Sequence, residues 1–312
     1  MLSIIIPVYN EAKNLRLLHT QLIQVLDKLN KECEVIYVDD SSTDDSYELL
    51  EGFAQTNGRI KIIRLARNFG QTFAIQAGID HAKGDILIFM DADLQNDPAD
   101  IPKLAFKIEE GYDVVSGWRR NRKDPIFNKK IPSFIGNSLI SLLFGTKLHD
   151  LGCTLKAYKR EVITHIRLYS EMHRLLPLYA AMNGASIAEV EVSHNPRLTG
   201  KTHYGWSRVF KVSLDLITLR FFEIYSTKPI YFFGGAGIVL LILGFVMGVI
   251  VVIRKILFQG VWISPLLFIS LMFSTMGIQF ILMGLLAEII IRIYYRPQTE
   301  YTYLIKEIFQ KS

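Results

Sequence analysis

The sequence predicts an α/β fold, a mostly parallel sheet covered by helices, followed by interfacial helices and a two-helix transmembrane hairpin. Three observations lead there. Up to about Lys228, short β-branched runs alternate with amphipathic stretches of helical period. Beyond it, two long segments carry no charge. Mean hydropathy is +0.25, high for a wholly soluble chain, with 50% of the 312 residues apolar.

The strand-like runs are residues 2–7, 34–38, 60–65, 85–90 and 113–116, with helical patterns between them, for example 15–29 and 45–53. Such alternation predicts strands joined by helical crossovers and buried on both faces. The first run lacks a basic leader and is cut short by Pro7, so it reads as a buried strand and not a signal peptide.

Residues 229–253 and 256–287 are uncharged, and each exceeds the roughly 20 residues that cross a hydrocarbon core. Arg254, Lys255, Gly260 and Pro265 separate them, giving a hairpin with spans at about 229–253 and 263–290. Gly234, Gly235, Gly237, Gly244 and Gly248 predict close helix contacts. Lys211, Arg220 and Lys228 precede the hairpin, and Arg292 and Arg296 follow it. By the positive-inside rule the large domain is cytoplasmic, although Arg254 and Lys255 argue mildly the other way. In residues 205–226, Trp206, Phe210, Leu214 and Phe221 interleave with Arg208, Lys211 and Arg220, as in a helix lying in the bilayer interface. Residues 131–148 are apolar but too short and broken to span. The chain therefore divides into residues 1–204, an interfacial segment 205–228, the hairpin 229–292 and a cytoplasmic tail 293–312.

A net charge of +5 and a pI near 9.0 suit an anionic partner such as phosphate or an acidic membrane surface. No nucleic-acid-binding motif is present. Cys33 and Cys153 exclude a disulfide scaffold and suit a reducing compartment. His149, His173, His194 and His203 show no paired ligand spacing, so no zinc site is expected.

The chemistry lies where strands end, the place at which open α/β sheets bind ligands. The second run leads into Asp39-Asp40-Ser41-Ser42 and the fourth into Asp91-Ala92-Asp93. Two residues apart in extended backbone, Asp91 and Asp93 face the same way. Such a pair can hold a hard divalent cation, Mg2+ or Mn2+, that shares its coordination with substrate phosphates. Asp97, before Pro98, reads as a helix cap.

With Pro7-Val8-Tyr9-Asn10-Glu11 after the first run, Asp39 to Asp44 after the second and Asp91 to Gln95 after the fourth, the sequence resembles the GT-A glycosyltransferases of family 2. It is most similar to the polyprenyl-phosphate glycosyltransferases, the group of the dolichol-phosphate mannose synthases, over nearly its whole length. The resemblance implies inverting transfer of one sugar from a UDP- or GDP-linked donor to a polyprenyl phosphate, by a homo-oligomer, with a tetramer compatible. It places Pro7, Tyr9, Glu11 and Asp39 around the nucleoside. Asp91 and Asp93 then hold the metal, with Asp91 and Gln95 beside the diphosphate. Arg119 and Arg122 belong to a loop over the donor and acceptor phosphates. Arg197 and Lys201 approach the diphosphate, where a guanidinium can bind two oxygens at once. His203 departs from the family pattern, which has lysine there. The Gln-x-x-Arg-Trp element of processive relatives is absent, which favours single-sugar transfer. Asp150 is the choice for a catalytic base, with a turn or capping role as the alternative. A phosphomonoester acceptor is mostly dianionic at neutral pH and relaxes the need for a base. Two rival readings are transfer to a lipid hydroxyl and an inactive membrane-anchored nucleotide-binding scaffold.

Overall fold

The structure is a computed structural model and describes residues 1–120, 148–164, 166, 168, 172–195, 228–258, 263–294 and 305–309. Arg122, Arg197, Lys201 and nearly all of the 205–228 segment lie outside the described residues. The chain forms two compact units, Met1–Ser213 with Tyr301–Ser312, and Leu214–Glu300.

The first unit is built on strands β1 (Leu2–Val8), β2 (Cys33–Asp39), β3 (Ile60–Leu65), β4 (Ile86–Phe89), β5 (Val114–Trp118), β6 (Lys156–Lys159), β7 (Ile187–Glu191) and β8 (Ile305–Phe309). Their helices are α1 (Ala12–Lys28), α2 (Ser46–Thr56), α3 (Gln71–His81), α4 (Ile101–Glu109) and α5 (Met172–Met182). The sheet order is β7-β5-β6-β4-β1-β2-β3-β8. Strands β3, β2, β1 and β4 run parallel, while β8 pairs antiparallel with β3. Between β4 and β5 lies β6, antiparallel to both. That insertion places the site, because it brings the start of β6 to the end of β4, with Lys156 opposite Phe89.

Both faces of the sheet are covered, which is why the central strands are almost continuously apolar. In β1, Ile4 and Ile6 join one core with Leu15, Leu18 and Leu22 of α1. Ile5 points the other way, into a core with Ala74 of α3 and Leu176 of α5, as period-two alternation requires. Helix α3 lies close on β1, since a Cβ at Gly78 would stand 2.4 Å from Ile5 Cγ2. This approach brings the N-terminus of α3 to the sheet edge where β1 and β4 end.

The second unit pairs α6 (Ile230–Phe258) with α7 (Pro265–Tyr294), of 29 and 30 residues. At 1.5 Å per residue each is about 44 Å long, beyond the ~30 Å of a hydrocarbon core. In their most apolar windows only 17% and 11% of residues are buried, so side chains such as Phe245, Ile256 and Leu282 face outward. Outward apolar surface on this scale calls for lipid. The two helices meet through small residues: a Cβ at Gly237 would stand 2.7 Å from Gly277 O, and Ser270 Oγ donates to Gly244 O at 2.7 Å. Gly248 faces Ser270. Gly234 and Gly235 do not share in this contact, for a Cβ there would meet only Ile230 or nothing.

Candidate active site

A cleft of about 280 Å³ opens at the C-terminal ends of β1, β2 and β4, lined by Pro7, Tyr9, Glu11, Asp40, Asn68, Gly70, Gln71, Asp91 and Asp93. Three non-glycine residues in its loops have left-handed backbone: Asn10 (φ 56°), Ser41 (φ 60°) and Leu94 (φ 63°), following β1, β2 and β4. Each costs on the order of 1–2 kcal/mol, so the loops must be held by their contacts. Asn10 N donates to Ser42 Oγ at 3.0 Å, and Asn10 Oδ1 accepts from Thr43 N at 2.8 Å. Glu11 N donates to Ser46 Oγ at 2.9 Å. These bonds lock the loop after β1 to the loop after β2.

The two aspartates after β2 have separate tasks. Asp40 lines the cleft and accepts from Phe69 N at 2.7 Å and Gly70 N at 2.8 Å, fixing the turn into α3. Gly70 has φ +94°, a conformation suited to glycine. Asp39 is fully buried behind that wall. Its Oδ1 accepts from Ser42 N at 3.1 Å, Arg64 Nε lies 3.5 Å from Oδ2, and Oδ2 has no hydrogen-bond partner among the described residues. Burial pushes the Asp39 carboxyl above its ordinary range. The structure thus brings Pro7, Tyr9 and Glu11 together at the cleft with Asp40, and sets Asp39 behind them.

Asp91 and Asp93 both line the cleft, by a route other than strand periodicity. Strand β4 ends at Phe89, and a bend through residues 92–94 with left-handed Leu94 turns the two carboxylates to the same space. Asp91 Oδ1 accepts from Gln71 Nε2 at 2.7 Å, and Asp93 Oδ1 from Gln95 N at 3.1 Å. Burial, and then the neighbouring Asp93 charge, push the Asp91 carboxyl up to about 6. A dication would relieve that repulsion. No group of three or more metal-ligating side chains occurs among the described residues. The donor set is then two carboxylates, which suits Mg2+ or Mn2+ completed by phosphate and water oxygens.

Gln95 contributes its backbone: its N–H goes to Asp93, and its carbonyl accepts from Asn195 N at 3.0 Å. Asn195 is the last described residue before Arg197 and Lys201, which lie outside the described residues.

Arg119 and Asp150 are brought into contact with each other. Arg119 Nε and Nη2 donate to Asp150 Oδ2 and Oδ1 at 2.7 and 2.9 Å, a bidentate fork, and Arg119 N adds a bond of 3.2 Å. Asp150 is buried and Arg119 is mostly so. Both oxygens of this carboxylate are engaged, and its effect is to aim the guanidinium. Lys156, buried at the start of β6, donates to Leu151 O at 3.0 Å and Arg174 O at 3.3 Å, tying the Asp150 loop to α5. Desolvation lowers its pKa to about 8.

Asp40, Gln71 and Lys156 escape the sequence reading. The loop 68–71 follows β3 as the acidic loops follow β2 and β4, so the same strand-end rule points to Gln71. Lys156 gives no local signal, because its burial comes from β4 and β5 on either side.

A Rossmann-like sheet with an acidic cleft at its strand ends and an antiparallel insertion is the architecture of a GT-A glycosyltransferase. The crystal structure of glucosyl-3-phosphoglycerate synthase from Mycobacterium tuberculosis, solved with Mn2+, UDP and glucosyl-3-phosphoglycerate, shares this fold. It has a TM-score of 0.52 and 19% identity, covering 72% of this chain and 79% of that one. Residues 3–167 match the family model of glycosyl transferase family 2. Along nearly its full length the chain is 39% identical to dodecaprenyl-phosphate galacturonate synthase of Rhizobium johnstonii, covering 99% of this chain and 93% of that protein. It is 37% identical to undecaprenyl-phosphate 4-deoxy-4-formamido-L-arabinose transferase of Proteus mirabilis, covering 98% and 93%. The chain belongs to glycosyl transferase family 2 and groups there with the polyprenyl-phosphate glycosyltransferases.

Proposed function

We propose that this glycosyltransferase moves a single sugar, with inversion, from a UDP- or GDP-linked donor to a polyprenyl phosphate at the cytoplasmic face of a membrane. The observation that carries the reading is the Asp91–Asp93 pair in a cleft at the strand ends, in a chain that goes on to form an apolar hairpin. Two curated relatives named for polyprenyl-phosphate substrates support the acceptor. Strand β8 rejoins the sheet after the hairpin, which supports an even number of bilayer crossings. Residues 1–204 form the catalytic domain.

Pro7, Tyr9, Glu11 and Asp40 receive the nucleoside, with Asp39 supporting the loop behind them. Asp91 and Asp93 hold Mg2+ or Mn2+ against the donor diphosphate, and the ion supplies charge neutralisation for the departing nucleoside diphosphate. Asp150 holds the Arg119 guanidinium in place, and Arg119 directs it, with Arg122, Arg197 and Lys201, at the phosphates of donor and acceptor. Positive charge fixed before the reaction stabilises the charge that develops. The acceptor phosphate needs no base, having a second pKa near ~6. A lipid hydroxyl would need a free carboxylate, and Asp150 is not one. The enzyme acts as a homo-oligomer, which the mass of the detergent-solubilised protein tests.

Asp93→Asn tests the metal assignment. Transfer is expected to fall by at least about a hundredfold, with unfolding temperature and circular dichroism preserved. Turnover close to wild type rules the assignment out.

A further inference from the structure

The strand β8 follows the apolar hairpin in sequence and seals the free edge of β3. Its register places three charged residues in one row across three strands: Asp39 of β2 opposite Arg64 of β3, and Arg64 opposite Glu307 of β8. Residues aligned this way face the same side of the sheet, where opposite charges attract. Tyr47, from the first turn of α2, closes over the row. Its hydroxyl donates to Glu307 Oε2 at 3.1 Å, and the Arg64 guanidinium carbon lies 3.9 Å from the centre of its ring. Tyr47 is itself buried.

The row ends on the buried Asp39 carboxylate, whose Oδ2 faces the Arg64 charge and makes no hydrogen bond among the described residues. From the other oxygen the connection runs on: Ser42 N donates to Asp39 Oδ1, and Asn10 N donates to Ser42 Oγ. Asn10 sits in strained left-handed backbone between Tyr9 and Glu11, two residues of the cleft wall. If Glu307 or the Tyr47 hydroxyl is lost, Arg64 is no longer held against Asp39. The buried carboxylate then loses part of its compensation, and the turn that props Asn10 loosens.

We propose that β8 is a working part of the donor site: through Tyr47 and Arg64, Glu307 positions the Asp39–Ser42–Asn10 turn that shapes the nucleoside pocket. These are positioning residues, since they act through the loop and not on the donor itself. The inference rests on the donor reading of the cleft. It makes nucleotide affinity depend on a strand that comes after the membrane hairpin.

The test uses the full chain in detergent, with UDP and GDP as probes in the presence of Mn2+. Tyr47→Phe, Glu307→Ala and the double variant are compared with wild type by calorimetric titration and by donor and acceptor KM. Each single variant should weaken binding of the preferred nucleotide about three- to tenfold and raise donor KM in step. Acceptor KM should hold, and the double variant should be little worse than either single. Unchanged nucleotide affinity in both single variants overturns the inference, as does a loss that spreads equally to acceptor KM. Asp40→Asn separates the two levels. If it leaves nucleotide binding intact, or if wild type binds neither nucleotide, the donor reading falls and the inference falls with it.

Discussion

Asp150 and Arg119 lie 31 positions apart in sequence and meet as a buried, bidentate pair. From sequence alone Asp150 offers only an acid near a glycine turn, which reads as base or cap; its partner is visible only once the sheet is built. Breaking such a pair leaves a buried charge alone. Asp150→Asn is therefore expected to destabilise the fold by about 3–5 kcal/mol, read as a lowered denaturant midpoint, whereas a free general base would be lost without that penalty. Lys156 gives a pH signature. Desolvation lowers its pKa from 10.5 to about 8. Between those values the folded chain has released a proton that the unfolded chain keeps, so this group's contribution to stability rises with pH across the window. Below pH 8 the burden of the buried charge is fully present. The stability of wild type relative to Lys156→Met should improve by roughly 1–3 kcal/mol from pH 8 to 10.5. A flat difference would show that Lys156 is not held in a desolvating site.

At the scale of elements, strands β1 to β5 are legible because each is a β-branched run bounded by turn residues. Strands β6, β7 and β8 are not: Lys156–Lys159, Ile187–Glu191 and Ile305–Phe309 are four or five residues long and mix charge with apolar side chains. Their strand character is imposed by distant partners, and no periodicity in so short a stretch declares it. The consequence for the site is large, since β6 delivers the Asp150 loop to Asp91. The acidic pair itself was legible for a partly different reason from the real one. Its spacing predicts a shared direction along a strand, and the chain achieves it with a bend at left-handed Leu94. In the hairpin, a Cβ at Gly244 would lie 2.9 Å from Ser270 O and Ser274 N, while one at Gly235 meets nothing within 4 Å. Gly244→Val should lower thermal stability in detergent by about 1–3 kcal/mol, with Gly235→Val near wild type. Equal effects would mean that the helices do not pack through this face.

For the whole molecule, two solvents account for the composition. The helix pair, whose apolar side chains face outward, gives the positive mean hydropathy, while the α/β domain carries the acidic cleft. The division was readable because it rests on long uncharged runs, a signal that needs no tertiary information.

The central claim joins metal, donor and lipid phosphate in one reaction, and one assay addresses all three. Purified full-length enzyme is given radiolabelled UDP- and GDP-sugars with either polyprenyl phosphate or unphosphorylated polyprenol, with Mg2+ or Mn2+ and with chelator. The account predicts a labelled lipid from the phosphate acceptor alone, lost on chelation and in Asp93→Asn. Label on the free polyprenol, or transfer that survives both chelation and Asp93→Asn, would contradict it.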